Sequence, residues 1–247
     1  MGAPRGDSQR AVWRGDPGPW KADFPWNLLW TVPSVSADSV PVWGRPRPSW
    51  SWVAGLPEDG GVFVGYMEGW ELPCPGSTAE VLGVSDMMVE GSNAGSEAPG
   101  SPLPGPHHFL RIRARVCTVR ISIGEQYHTR LEFGGRVLDA TGCDLSAPLP
   151  PGAEDTIVLL EIFAEGSRMA GLVLAPAGMN GTYYRVGEYH TAHMCRDTDK
   201  VKASHMRKRY RKSQNASVLE AAFASCDLAE PRYIEFDGSG RYVVDVI

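Results

Sequence analysis

The clearest pattern along the chain is the stretch Phe109–Ser122, where apolar and charged residues alternate almost strictly. Leu110, Ile112, Ala114 and Val116 fall on one side, and Arg111, Arg113 and Arg115 on the other. A period of two is the signature of a half-buried strand, because successive side chains of extended backbone point to opposite faces. The alternation changes after Val116, which would suit a bulge or bend. Shorter apolar runs bounded by turn residues predict further strands at Gly61–Met67, Ala79–Val84, Arg130–Phe133 and Arg136–Ala140. Gly134-Gly135 is a good hairpin turn between the last two. Thr156–Ala164 is more continuously apolar, as a buried strand is, and Met169–Ala175, Thr182–Gly187 and Gly240–Ile247 follow it. One short helix is expected at Ser217–Ser225, and no internal repeat is found.

These elements predict a mainly β fold with a little α, an irregular antiparallel sandwich or distorted barrel preceded by a Trp-rich segment. Residues 1–19 read as a flexible lead-in, 20–55 as a Trp-rich linker or clasp, and 56–247 as the β-rich domain. Two stretches inside that domain, 90–106 and 196–215, have the composition of disordered loops. Six of the eight tryptophans (Trp20, Trp26, Trp30, Trp43, Trp50 and Trp52) lie in the second region. Each is a large apolar surface whose N–H needs a partner, so this segment is expected to pack on something.

Composition supports the β reading. The 247 residues include 28 glycines and 20 prolines, which favours turns over long helices. A net charge of −5 gives no global field for nucleic acid or acidic membranes. Five widely spaced cysteines without a C-x-x-C suit reduced, mostly buried thiols. The polar first residues lack the apolar core of a signal peptide, and no run reaches the ~20 apolar residues of a membrane span. A soluble, cytoplasmic protein is the expectation.

Candidate chemistry is sparse. His190, His193 and Cys195 form the most metal-like spacing, yet supply at most three of the four ligands of a structural zinc site. Loop histidines are the simpler reading, and no metal or other cofactor is expected. The basic run Lys200–Lys212, with Tyr210 interleaved, could meet phosphates, but a solvated face is the commoner origin of such a run. None of the usual nucleophile, zinc-protease or phosphate-loop motifs is present. The sequence therefore points to no catalytic residue and to no enzyme.

The most specific local signal is Arg47-Pro48-Ser49-Trp50-Ser51-Trp52. It resembles the "APSWSWAS" signature of fungal heterokaryon-incompatibility (HET) domain proteins. Upstream, Gly18–Trp30, which includes Trp20, Leu28, Leu29 and Trp30, is similar to that family's "GLW…DLP…LLW" segment, in the same order and with a similar spacer. Farther along, Gly171-Leu172-Val173-Leu174 and Tyr183-Tyr184-Arg185-Val186-Gly187 look like the family's "gLxL" and "YxRxG" segments. Phe109–Val116 is similar to its "yLrLrG" strand. The "DPFG" that normally precedes that strand has no equivalent, and neither do the HET domain's own "YxALSYxWG" and "WIDxxCINQ" segments.

The resemblance implies the C-terminal β-rich region of such a protein, separated from its HET domain. The implied role is a non-catalytic accessory or recognition part in self/non-self discrimination, with a protein partner (the HET domain or another protein). The signature residues Trp20, Leu28, Leu29, Trp30, Pro48, Ser49, Trp50, Ser51, Trp52, Gly171, Tyr184, Arg185 and Gly187 are expected to be structural. The rival reading is a small β-rich enzyme or carbohydrate-binding module that uses the tryptophan cluster as a platform.

Overall fold

A computed structural model of the chain describes residues 28–31, 49, 65–66, 77–89, 105–123, 129–138, 143–145, 148–150, 152–166, 168–191 and 216–247. Two short strands, β1 (Trp30–Thr31) and β2 (Gly65–Tyr66), pair antiparallel with each other. A larger sheet holds the remaining ten strands. These are β3 (Glu80–Val89), β4 (Gly105–Ile123), β5 (Thr129–Phe133), β6 (Arg136–Leu138) and β7 (Cys143–Leu145), followed by β8 (Ile157–Glu165), β9 (Arg168–Pro176), β10 (Thr182–His190), β11 (Glu235–Phe236) and β12 (Arg241–Val246). The helix α1 spans residues 216–224. No helix among the described residues is long and apolar enough to cross a membrane.

The strand predicted around Phe109–Ser122 is the hub. β4 runs for 19 residues and pairs with β3 and β12 along its first half, then with β8 and β5 along its second. From β8 the pairing passes to β9, β10 and β12, and β12 returns to β4, so the ladder closes on itself in a ring-like circuit. It is not a regular barrel. Closure depends on two residue pairs between β10 and β12, Thr182↔Asp245 and Tyr183↔Val246, and these run parallel. The sheet is thus mixed, where an antiparallel one was expected. The short contact is reinforced where Asp245 N–H donates to Gly181 O (2.8 Å) and Ile247 N–H to Tyr183 O (2.9 Å).

Both faces of the sheet are covered. Leu110, Ile112, Ala114 and Val116 are fully buried, as the alternation predicts, and pack with Val158, Leu160, Leu172, Leu174, Val244 and Val246. Opposite them, Cys117, Val119 and Ile121 join Ile157, Leu159, Val173 and Val186 beneath Leu219, Ala222 and Phe223 of α1. β8 is buried on both sides, which accounts for its unbroken apolar run. Each such side chain contributes about 1.5–3 kcal/mol by leaving water.

The change of pattern after Val116, which would suit a bulge or bend, coincides with no bulge on β4. Register shifts occur on β3 (between Val81 and Gly83), β8 (Glu161 and Phe163) and β10 (Arg185 and Gly187), while β4 itself stays regular. What changes is which alternate set is apolar, because the strand leaves one core cluster and enters the other.

Other expectations resolve similarly. Gly134 and Gly135 both have positive φ (56° and 75°) and join β5 to β6, as the hairpin reading requires. The predicted loop 90–106 ends sooner, since Gly105 and Pro106 already belong to β4 and pair with Val89 and Met88. The 196–215 loop and the lead-in 1–19 lie outside the described residues.

Candidate functional site

The arginine side of β4 meets acids on every element laid against it. Arg111 binds Asp245 of β12 through two hydrogen bonds of 2.8 Å each. Arg113 lies between Glu80 of β3 (3.0 Å) and Glu235 of β11 (3.6 Å). Arg115 makes a forked contact with Glu220 of α1 (2.7 and 3.3 Å) and stands 3.4 Å from Glu161 of β8. Its guanidinium also sits 5.4 Å above the ring centre of Phe223, within cation–π range.

Glu161 is the unusual member, a carboxyl with no solvent exposure in the middle of an apolar strand. Neither of its carboxyl oxygens has a hydrogen-bond partner among the described residues. It forms part of a row across three strands: Glu161 is paired with Gly171 on β9, and Gly171 with Tyr189 on β10. The glycine is required there. A Cβ at Gly171 would lie 1.9 Å from the Leu160 carbonyl oxygen and 2.7 Å from the Tyr189 ring. Tyr189 therefore lies over β9 and beneath α1, with its ring centre 6.5 Å from that of Phe223.

Burial dominates the electrostatics of this row. It pushes the Glu161 carboxyl above its ordinary value, with Glu220 adding to the rise and Thr78 and Arg115 opposing it. The same cause raises the Tyr189 phenol and the Cys117 thiol well above theirs. For Arg115, burial favours the neutral form, but the bond to Glu220 and the charges of Glu161 and Glu220 outweigh it and the net shift is upward.

A second polar centre lies on the opposite face. Arg185 is paired with Leu174 and Glu188 with Leu172, so both point to the side away from α1, astride the bulge of β10. Arg185 is 1 % exposed, and burial pulls its guanidinium down to about 10 against the attraction of Glu188. Its main-chain N–H donates to the hydroxyl of Ser49 (2.8 Å), and that hydroxyl donates in turn to the carbonyl of Ile247. Ser49 is itself buried. The Ser49 side chain thus links β10 to the residue that follows β12.

Of the described residues in the signature-like segments, Leu28, Leu29, Ser49, Gly171, Tyr184, Arg185 and Gly187 are buried. Leu28 and Leu29 are buried in the same cluster as Leu172 and Leu174. Gly171 floors the Tyr189 row, Tyr184 packs in the helix-side cluster, and Gly187 lies buried just past the bulge. Trp30 belongs to β1, whereas Trp20, Pro48, Trp50, Ser51 and Trp52 lie outside the described residues. Of the metal-like trio, His190 ends β10 as a half-buried strand residue, and His193 and Cys195 lie outside the described residues, as does the basic run 200–212. No cluster of metal-binding side chains occurs among the described residues.

Sequence reasoning overlooked Glu161, Glu188, Glu220 and Tyr189. Glu161 had a usable signal: a single carboxylate inside the apolar run Thr156–Ala164 must find a partner or keep its proton. Chemically, the two centres offer charge pairing, one partly exposed at Arg115 and one buried at Arg185. Compared with protein-family models, with curated proteins and with solved structures, the chain matches none of them.

Proposed function

We propose that this chain is a recognition or accessory module of heterokaryon-incompatibility type, non-catalytic and acting in self/non-self discrimination through protein–protein contacts. The observation that supports this reading is the Ser49 bridge. Two segments that resemble that family's signatures are 136 residues apart in the chain, and they meet through one buried hydroxyl shared by Arg185 and Ile247. Gly171, from a third such segment, is needed for close packing under Tyr189. Residues in these positions build an architecture, which supports a signature that specifies a scaffold for contacts.

The direct test is titration calorimetry of the purified chain with a HET domain taken from a protein of that family. Saturable binding with a Kd in or below the micromolar range, equivalent to about −8 kcal/mol, is expected. Absence of binding, together with saturable quenching of tryptophan fluorescence by oligosaccharides, would replace this reading with the carbohydrate-binding one.

A further inference from the structure

We propose that α1 is held on the sheet by a proton carried on the Glu161 carboxyl, and that losing this proton loosens the helix. The geometry is a three-way contest. One guanidinium, Arg115, faces two carboxyls: Glu220 of the helix at 2.7 Å and Glu161 of the sheet at 3.4 Å. With Glu161 neutral, Arg115 and Glu220 form a balanced pair that fastens α1 to β4. With Glu161 ionised, two negative groups share a single cation, and the surplus charge sits on the fully buried carboxyl under the helix.

Among the other described groups facing Glu161, only the Thr78 hydroxyl favours the charged form, and burial outweighs it. From β4 comes the Cys117 thiol and from β10 the Tyr189 phenol, both made harder to ionise by burial. Before β3 there is the Thr78 hydroxyl, and β9 contributes the bare Gly171. Moving α1 away would admit water to Glu161 and free Arg115 to accompany it. Apolar contacts of Leu219, Ala222 and Phe223 oppose that movement, so the proton modulates the docking and the apolar contacts set its baseline.

The direction follows from the raised affinity of Glu161 for its proton. The docked state binds the proton more tightly than an open state in which the carboxyl returns to its ordinary value near 4.5. Docking is therefore at full strength below that value and weakens as pH climbs toward the raised one.

Hydrogen exchange of the 219–224 amides, corrected for the intrinsic pH dependence of exchange, reads the opening directly. Within the window, the opening equilibrium should grow about tenfold per pH unit, because each unit of pKa difference is a factor of ten. Glu161→Gln should flatten the profile and keep the helix protected at high pH. Glu220→Gln, which removes the competing carboxylate, should lower the upper end of the window and so narrow it. A carbon-13 titration of the Glu161 carboxyl in the native chain gives an independent reading, with a midpoint expected above the ordinary carboxylate range. A flat native profile, a slope that persists in Glu161→Gln, or a carboxyl midpoint in the ordinary range would each overturn the proposal.

Discussion

Arg115 and Arg185 are the same side chain in two settings, and their proton affinities move in opposite directions. Arg115 is about a quarter exposed and divided between two carboxylates, and its affinity rises. Arg185 is enclosed on the opposite face with Glu188 nearby, and its affinity falls to about 10. Attraction to an acid acts on both. The difference lies in how much hydration each has lost, because full burial costs a cation more than one neighbouring carboxylate returns. The site at Arg115 keeps some contact with water, whereas Arg185 has almost none.

The contrast is sharpest when each site is broken. Arg185→Leu should cost the most, about 3–5 kcal/mol, because Glu188 would stay buried without its cation. Adding Glu188→Gln should recover part of that loss, and denaturant unfolding of the single and double variants measures both. Equal stabilities for the two variants would mean that Glu188 does not sense Arg185. Next in size is Gly171→Ala beneath the Tyr189 row. With a Cβ 1.9 Å from the Leu160 carbonyl, strands must separate, and a loss of about 3 kcal/mol is expected from overpacking. A change within ~0.5 kcal/mol would show that β9 can shift freely there. The smallest effect belongs to Glu220→Gln. Its side chain is 54 % exposed, so the loss should stay below about 1 kcal/mol near neutral pH and shrink further in high salt.

Much of the fold was legible in the chain, and particular residues show where legibility stopped. The alternation of Leu110, Ile112, Ala114 and Val116 against three arginines marked the hub strand, and all four apolar residues are buried. Gly134-Gly135 announced its hairpin, and the helix predicted at Ser217–Ser225 spans residues 216–224. By contrast, β7 and β11 have three and two residues, too few to carry any periodicity. The pattern change at Val116 is visible in the sequence but its origin is not, because a local pattern shows which set of residues is apolar and not which partner covers it. The polar centres were harder still. Glu161 and Arg115 are 46 residues apart, and no local rule pairs them.

The residues by themselves determined a turn-rich β chain, the two faces of its longest strand, the position of its helix, and the presence of Ser49, Gly171 and Arg185 within signature-like segments. Each of these follows from steric preference and the period of the backbone, which act over a few neighbours. Only the tertiary structure decided that β12 closes the circuit by a two-pair parallel contact, that Ser49 bridges Arg185 and Ile247, and that Glu161 is enclosed beneath α1 with one guanidinium shared between two acids. Those outcomes depend on which surfaces exclude water together, and desolvation is set by the whole assembled chain rather than by any segment of it.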